Sequence, residues 1–160
     1  MGSNLNGRFK NIQKAIQAIH DKIGRVKKIS SLYKTPAWGF KGNDFYNCCI
    51  EIETVLNPEL LMKSLLDIEK QLGRKRRNDQ NYENRIIDID IVLYEEEIID
   101  TPRLSIPHPK STERKFVLIP LCEISSKLLF PHSKKTALEH LTNCTDKSEV
   151  ELLPEKINLR

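Results

Sequence analysis

Residues 86–93 read Ile-Ile-Asp-Ile-Asp-Ile-Val-Leu, and a stretch of that kind has few ways to fold. From Ile87 onward its isoleucines recur at every second position, so an extended chain sends Ile87, Ile89 and Ile91 to one face and Asp88 and Asp90 to the other. A helix would scatter the same side chains around its circumference. The expectation is a strand over residues 86–94 with one buried side and one acidic side. Backbones at i and i+2 of a strand lie roughly 6.5 Å apart, so both carboxylates can converge on one hard cation. Without a positive partner they repel each other. A strand whose acidic face is simply solvated fits the same pattern, and spacing alone leaves both readings open.

The remaining periodicities set helices and strands around this segment. Residues 8–23 place Phe9, Ile12, Ala15, Ile16, Ile19 and Ile23 on one helical stripe, with Asn4 or Asn6 as cap and Gly24 as stop. Residues 26–35 read as extended and end at Pro36, and residues 37–43 read as a loop containing Gly39 and Gly42. Residues 44–56 read as a second strand, with Phe45 and Asn47 on one face and Tyr46, Cys48, Ile50 and Ile52 on the other. Asn57-Pro58-Glu59 combines a cap, a first-turn proline and a first-turn acid, and Leu61, Leu65, Ile68 and Leu72 carry the stripe to Gly73. A short extended piece is expected at 97–100, a proline-rich segment at 102–109, helical turns at 111–122 and a short helix at 136–142. The order helix, strand, strand, helix, strand becomes the split β-α-β layout of ferredoxin-like folds once one strand is set in front. The expected fold class is therefore α+β, an antiparallel sheet with helices packed on it, lacking that first strand. One domain over residues 1–160 suits the length, with about 145–160 as a C-terminal tail.

Composition narrows the functional classes. Charged residues make up 30% of the chain and the apolar runs are short, which argues against a membrane span. No secretory pattern opens the sequence, and Cys48, Cys49, Cys122 and Cys144 lack metal-ligand spacing, so a cytoplasmic, disulfide-free protein is expected. The net charge of +4 suits a small polyanion as well as nucleic acid. Local charge says more. Arg74, Lys75, Arg76 and Arg77 follow one another, Arg85 flanks the acidic strand, and Arg103, Ser105 and His108 share a segment punctuated by Pro107 and Pro109. Arginine forks match phosphate oxygens bidentately. His108 also reads as a turn residue, Arg114 as a surface helix charge and Phe116 as a core aromatic, and spacing does not separate these readings. Neither a phosphate-binding Gly-x-x-x-x-Gly-Lys loop nor Gly-x-Gly-x-x-Gly occurs. The residues alone point to metal-assisted phosphoryl chemistry on a small polyphosphate and leave the acceptor open.

Several pieces recur together in one known family. They are Gly2-Ser3-Asn4-Leu5, Ser31-Leu32-Tyr33-Lys34-Thr35-Pro36, Phe45-Tyr46-Asn47, Ile68-Glu69 through Gly73-Arg74, Arg85-Ile86-Ile87-Asp88-Ile89-Asp90-Ile91, Arg103 through Pro109, and Arg114-Lys115-Phe116. In this order and spacing the chain resembles 6-hydroxymethyl-7,8-dihydropterin pyrophosphokinase from Gly2 to Pro131. The resemblance implies that Asp88 and Asp90 hold two Mg²⁺ ions on the ATP phosphates, and that Arg74 and Arg85 are catalytic. It implies an ATP site of Glu69, Arg76, Ile91, Arg103, Ser105, His108 and Arg114, and a pterin slot of Thr35, Pro36, Phe45, Asn47 and Phe116. Phe45 and Phe116 would sandwich the flat ring while Asn47 reads its polar edge. The implied reaction is in-line attack of the pterin hydroxyl on the β-phosphorus of ATP, releasing AMP, with loops 37–43 and 74–84 closing over the substrates. The partners are then small molecules only, ATP and a reduced hydroxymethylpterin, with no nucleic acid and no membrane, and the enzyme a monomer.

The chain departs from the family pattern in places. An apolar strand precedes Gly-Ser-Asn in the family, which sets the expectation that the reading frame extends upstream of Met1 or that the strand was cut away. Tyr82 stands where a loop tryptophan is usual, with one extra residue nearby; Trp38 stands where an aliphatic residue is usual. Leu66 replaces an occasional polar contact, which is not carried over. Two other classes compete. An RNA-binding ferredoxin-like module would show stacking aromatics in place of the acid pair. A Mg-dependent nucleotide phosphohydrolase would release AMP without a pterin.

Overall fold

The computed structural model describes residues 1–74 and 84–160. It is a mixed α/β structure with antiparallel sheets and four α-helices among the described residues. Strands β1 (Gly2–Ser3), β4 (Phe45–Asn47), β3 (Tyr33–Thr35) and β10 (Glu151–Leu152) form a four-stranded sheet in that lateral order. Gly2 pairs with Asn47, Thr35 with Phe45, and Lys34 with Glu151. Strands β2 (Arg25–Ile29) and β5 (Ile50–Glu53) form a second ladder, in which Val26 faces Ile52. The extended stretches expected at 26–35 and 44–56 are thus each broken in two, the first at residues 30–32 and the second at Cys48-Cys49, where the chain passes from one ladder to the other. Two hairpins follow: β6 (Ile99–Thr101) on β7 (Leu104–Ile106), and β8 (Leu129–Phe130) on β9 (Lys135–Thr136).

Helix α1 (Arg8–Lys22) buries Ile12, Ala15, Ile16 and Ile19. Its cap corrects the expectation, because Gly7 occupies the N-cap position in the left-handed region, at φ 77°, with no side-chain cap. Asn4 is turned elsewhere. Helix α2 (Pro58–Gln71) starts as expected: the Asn57 side chain accepts the Leu60 N–H at 2.9 Å, and Pro58 and Glu59 fill the first turn. Residues 111–122 resolve into a 3₁₀ turn at Ser111–Glu113 and helix α3 (Lys115–Ser125). Helix α4 (Ala137–Thr142) opens with a capping box between Thr136 and Glu139.

The core joins α1, Leu61, Leu65 and Ile68 of α2, and Ile87, Ile89 and Ile91, all buried. Alternation along 86–94 therefore holds, but the regular strand does not form. Among the described residues its pairing with a neighbour reduces to one antiparallel bridge, Gly2 to Asp88. The physical reason is the shortness of β1. Between β5 and residues 89–95 lies a trough of about 520 Å³ whose lining includes Ile19, Leu61 and Leu65, and among the described residues no strand pairs with residues 89–95 there. The tail is also more than a tail. Glu151–Leu152 extend the sheet, Leu153, Ile157 and Leu159 pack on the core, and the Asn158 carbonyl accepts from Gln13 Nε2 of α1. No helix among the described residues is long and apolar enough to cross a membrane.

Candidate active site

The ends of β1, β3 and β4 meet residues 85–92 and the start of α3 around a cavity of about 90 Å³. Thr35, Pro36, Phe45, Asn47 and Phe116 line it, and so do Arg85, Asp88, Asp90, His108 and Arg114. One hollow therefore holds an aromatic slot and an acid pair. Asn47 is pinned: its Nδ2 donates to Thr35 Oγ1 at 2.8 Å, and both residues are buried. Phe45 is met edge-on by Phe40, with centroids 6.3 Å apart and planes at 84°. Cys48, also in the wall, is no nucleophile, since burial pushes its thiol up to about 12.

Arginines organise the acid side. Arg74 Nη1 reaches Asp88 Oδ1 at 2.5 Å and Glu69 Oε1 at 2.5 Å. Arg85 Nη1 takes Asp88 Oδ2 at 2.6 Å while its guanidinium lies 5.9 Å from the Phe45 ring centre. Glu69 is fully buried yet satisfied, because its Oε1 also accepts the Ile89 N–H at 2.7 Å. Burial works to raise the Asp88 carboxyl, but Arg74 and then Arg85 outweigh it and hold the group below its ordinary value. Asp90 behaves oppositely. Burial of its carboxyl in the cleft and the neighbouring Asp88 charge push it above the ordinary value, although the residue as a whole is exposed through the cleft mouth.

The residues suit a magnesium ion. Two carboxylates open on one cleft, one of them held above its ordinary value by burial and by the charge of the other, and Mg²⁺ needs only one or two carboxylates with water and substrate phosphates completing its shell. No larger group of metal-ligating side chains gathers among the described residues.

Other expected ATP contacts are dispersed. Arg103 is exposed at the β6–β7 turn, and Ser105 Oγ bonds Asp100 Oδ1 at 3.3 Å. Ile91 is buried and faces the trough rather than the cavity. His108 lines the cavity with its backbone N–H on the Val92 carbonyl at 3.0 Å. Arg76 lies outside the described residues, as do Lys75, Arg77, Tyr82 and most of the loop expected to close at 74–84.

Sequence reasoning missed two contributors. The Arg114 guanidinium sits 4.4 Å from the centre of the Trp38 ring and 5.6 Å from that of Phe116, so Trp38 joins the cavity wall. A lone tryptophan in a glycine-bearing loop was the available signal. Gly2 is the other: a Cβ there would fall 2.5 Å from Asn47 Oδ1 and 3.3 Å from Phe45 Cδ1. Only a glycine lets β1 pass so close to those side chains.

Known proteins resemble this chain over most of its length. A relative from Aquifex aeolicus, 2-amino-4-hydroxy-6-hydroxymethyldihydropteridine pyrophosphokinase, is 37% identical over 140 residues, covering 87% of this chain and 86% of its own. The protein of that name from Bacillus subtilis is 38% identical over 130 residues, covering 80% and 77% respectively. The folic acid synthesis protein fol1 of Pneumocystis carinii is 39% identical over 155 residues; the match takes in 96% of this chain but only 21% of that longer protein. The class is that of pyrophosphokinases, ATP-dependent diphosphotransferases. A family model described as 7,8-dihydro-6-hydroxymethylpterin-pyrophosphokinase matches residues 1–126, and the chain belongs to that family.

Proposed function

We infer that this chain transfers the diphosphate of ATP to the hydroxymethyl group of 6-hydroxymethyl-7,8-dihydropterin, giving the pterin diphosphate and AMP in folate synthesis. The observation that carries the residue assignment is Arg85, which touches both halves of the cavity, Asp88 on one side and the Phe45 ring on the other. A pterin lying between Phe45 and Phe116, with its polar edge on Asn47, would direct its hydroxymethyl group toward the acid pair. A polyphosphate at that pair meets Arg85 and Arg74, with His108 and Arg114 at the rim. Glu69, Arg76, Arg103 and Ser105 would complete the nucleotide site, the last two once the hairpin they share approaches the bound nucleotide, while Ile91, which faces the trough, is not carried into it.

Asp88 and Asp90 would hold two Mg²⁺ ions, which supply charge neutralisation across the phosphates. The protein's own work is alignment and electrostatics. The hydroxyl oxygen attacks the β-phosphorus in line, the bond from that phosphorus to the bridging α-oxygen breaks, AMP leaves, and the hydroxyl proton passes to solvent. Arg74 and Arg85, already desolvated and aimed at Asp88, offset charge without reorganising.

Support for a ferredoxin-like split β-α-β sandwich comes from lateral order. Gly2 bridges Asp88 on one side and pairs with Asn47 on the other, and β4 pairs in turn with β3. The cavity-lining residues named above all belong to one chain, and the oligomeric state proposed with them is a monomer. The test is AMP formation from Mg-ATP with and without the reduced hydroxymethylpterin, on the parent protein and Asp90→Ala. AMP release should require the pterin and fall by about a thousandfold in the variant while the fold persists. Pterin-independent AMP release would replace transfer with hydrolysis, and RNA affinity indifferent to Mg²⁺ would favour a binding module.

A further inference from the structure

Asn4 is almost wholly buried, 1% exposed, and it caps no helix. Its side chain spans the gap between two loops. Nδ2 donates to the Asn43 carbonyl at 3.1 Å and to Asn84 Oδ1 at 2.6 Å, while Oδ1 accepts the Arg85 N–H at 2.7 Å. Backbone bonds reinforce the junction. The Asn4 N–H donates to the Arg85 carbonyl at 3.2 Å, and the Asn4 carbonyl accepts from Asn43 Nδ2 at 3.3 Å. Asn84 Oδ1 also accepts the Asn43 N–H at 3.3 Å, so the three asparagines close a ring of bonds. Packing leaves no room for slack: a Cβ on neighbouring Gly42 would fall 2.6 Å from Asn84 Oδ1.

The two strands of chain that Asn4 ties are those whose relative placement the reaction needs. Asn43 lies two residues before Phe45, in the aromatic slot. Arg85 anchors Asp88 through a bond of 2.6 Å. We propose that Asn4 is a positioning residue for diphosphate transfer, setting the distance and angle between the aromatic slot and the arginine–acid side of the cavity. This rests on the transfer reaction inferred above. The requirement is for an amide specifically. An aspartate has the same shape and keeps the acceptor for the Arg85 N–H, but it loses both donors and turns a charge on two oxygens. An alanine loses all three bonds. An error of about 1 Å between reacting groups can cost about a hundredfold in rate, so the tie acts on kcat rather than on ground-state binding.

The test uses Asn4→Asp, Asn4→Ala, Asn84→Ala and the double variant Asn4→Ala/Asn84→Ala, beside the parent protein. Both Asn4 variants should lose about twentyfold or more in kcat, with KM for ATP and for the pterin within about threefold of the parent. The double variant should lose less than the product of the two single losses, because the two side chains share one bond. Amide hydrogen exchange gives a readout independent of turnover. In Asn4→Ala the Arg85 amide, which loses its acceptor, should exchange faster by about tenfold; in Asn4→Asp it keeps that acceptor and should not, while Asn84→Ala should speed the Asn43 amide instead. Should Asn4 substitutions prevent folding, the exposed Asn84→Ala decides alone, with an expected loss of about fivefold in kcat. Unchanged kcat, losses that multiply in the double variant, or a loss confined to KM overturns the assignment. An inactive parent protein would instead count against the transfer reaction.

Discussion

Asp88 and Asp90 project from the same side of one extended segment, yet their carboxyls are displaced in opposite directions. Asp88 has both oxygens on arginines; Asp90 has the Asp88 charge beside it. One acid stabilises the apoprotein and the other strains it.

Substitution at the two positions should therefore separate stability from activity. Asp88→Asn leaves Arg74 and Arg85 without their shared carboxylate and should cost about 3 kcal/mol in urea unfolding at pH 7. Asp90→Asn should leave stability unchanged or raise it by no more than about 1 kcal/mol, since solvent at the cleft mouth screens the repulsion. Both should abolish turnover. The signs follow from linkage. A depressed carboxyl contributes stability above its unfolded value and loses it as pH falls through the folded one, so the Asp88 contribution fades below about pH 4. A raised carboxyl works the other way, and the cost of Asp90 grows as pH rises from that region. Unfolding midpoints for the two variants that shift the same way would contradict this account.

Magnesium dependence should carry a proton signature. Because Asp90 holds its proton above the ordinary range, metal must displace that proton as pH falls. The Mg²⁺ concentration for half-maximal activity should rise once the assay is acidified into the range where Asp90 takes up its proton, and chelation with EDTA should stop turnover. A half-saturating concentration that never rises on acidification would argue against Asp90 as a ligand.

Gly2→Ala should strike the pterin slot selectively. The added methyl collides with Asn47 Oδ1, so the amide must leave Thr35 and Phe45 must shift. KM for the pterin should increase about tenfold, with KM for ATP nearly unchanged. Equal effects on both would indicate a general disturbance of β1.

Trp38 offers a probe as well as a contact. Its ring lies against the Arg114 guanidinium, and it is the single tryptophan of the chain. Trp38→Leu should release Arg114 at a cost of about 1 kcal/mol, a rise of about fivefold in KM for ATP, with little change in kcat. Titration with nucleotide should alter the fluorescence of the parent protein; an unresponsive emission would place the nucleotide away from this wall.

Much of the molecule was legible from local patterns. The stripe of α1, the capped start of α2 and the inward side of Ile87, Ile89 and Ile91 follow from periodicity, which responds to burial that every neighbouring element shares. Phe45 and Asn47 were placed on one face by the same arithmetic, and both line the cavity. What periodicity missed were contacts between segments far apart in sequence. The breaks at residues 30–32 and at Cys48-Cys49, the strand added by Glu151–Leu152 and the lost ladder along residues 86–94 each depend on which neighbour lies alongside.

Sequence by itself determined the chemistry available here: paired carboxylates at i and i+2, arginines on either side, a phenylalanine and an asparagine in register. Tertiary structure decided the assignments, giving Asp88 to Arg74 and Arg85, leaving Asp90 to the cleft, and sending Asn4 to bind two loops rather than cap a helix. The reason is physical. Side-chain periodicity is a property of one segment and its buried face, whereas the electrostatics and positioning of a site are sums over groups that only folding brings within reach.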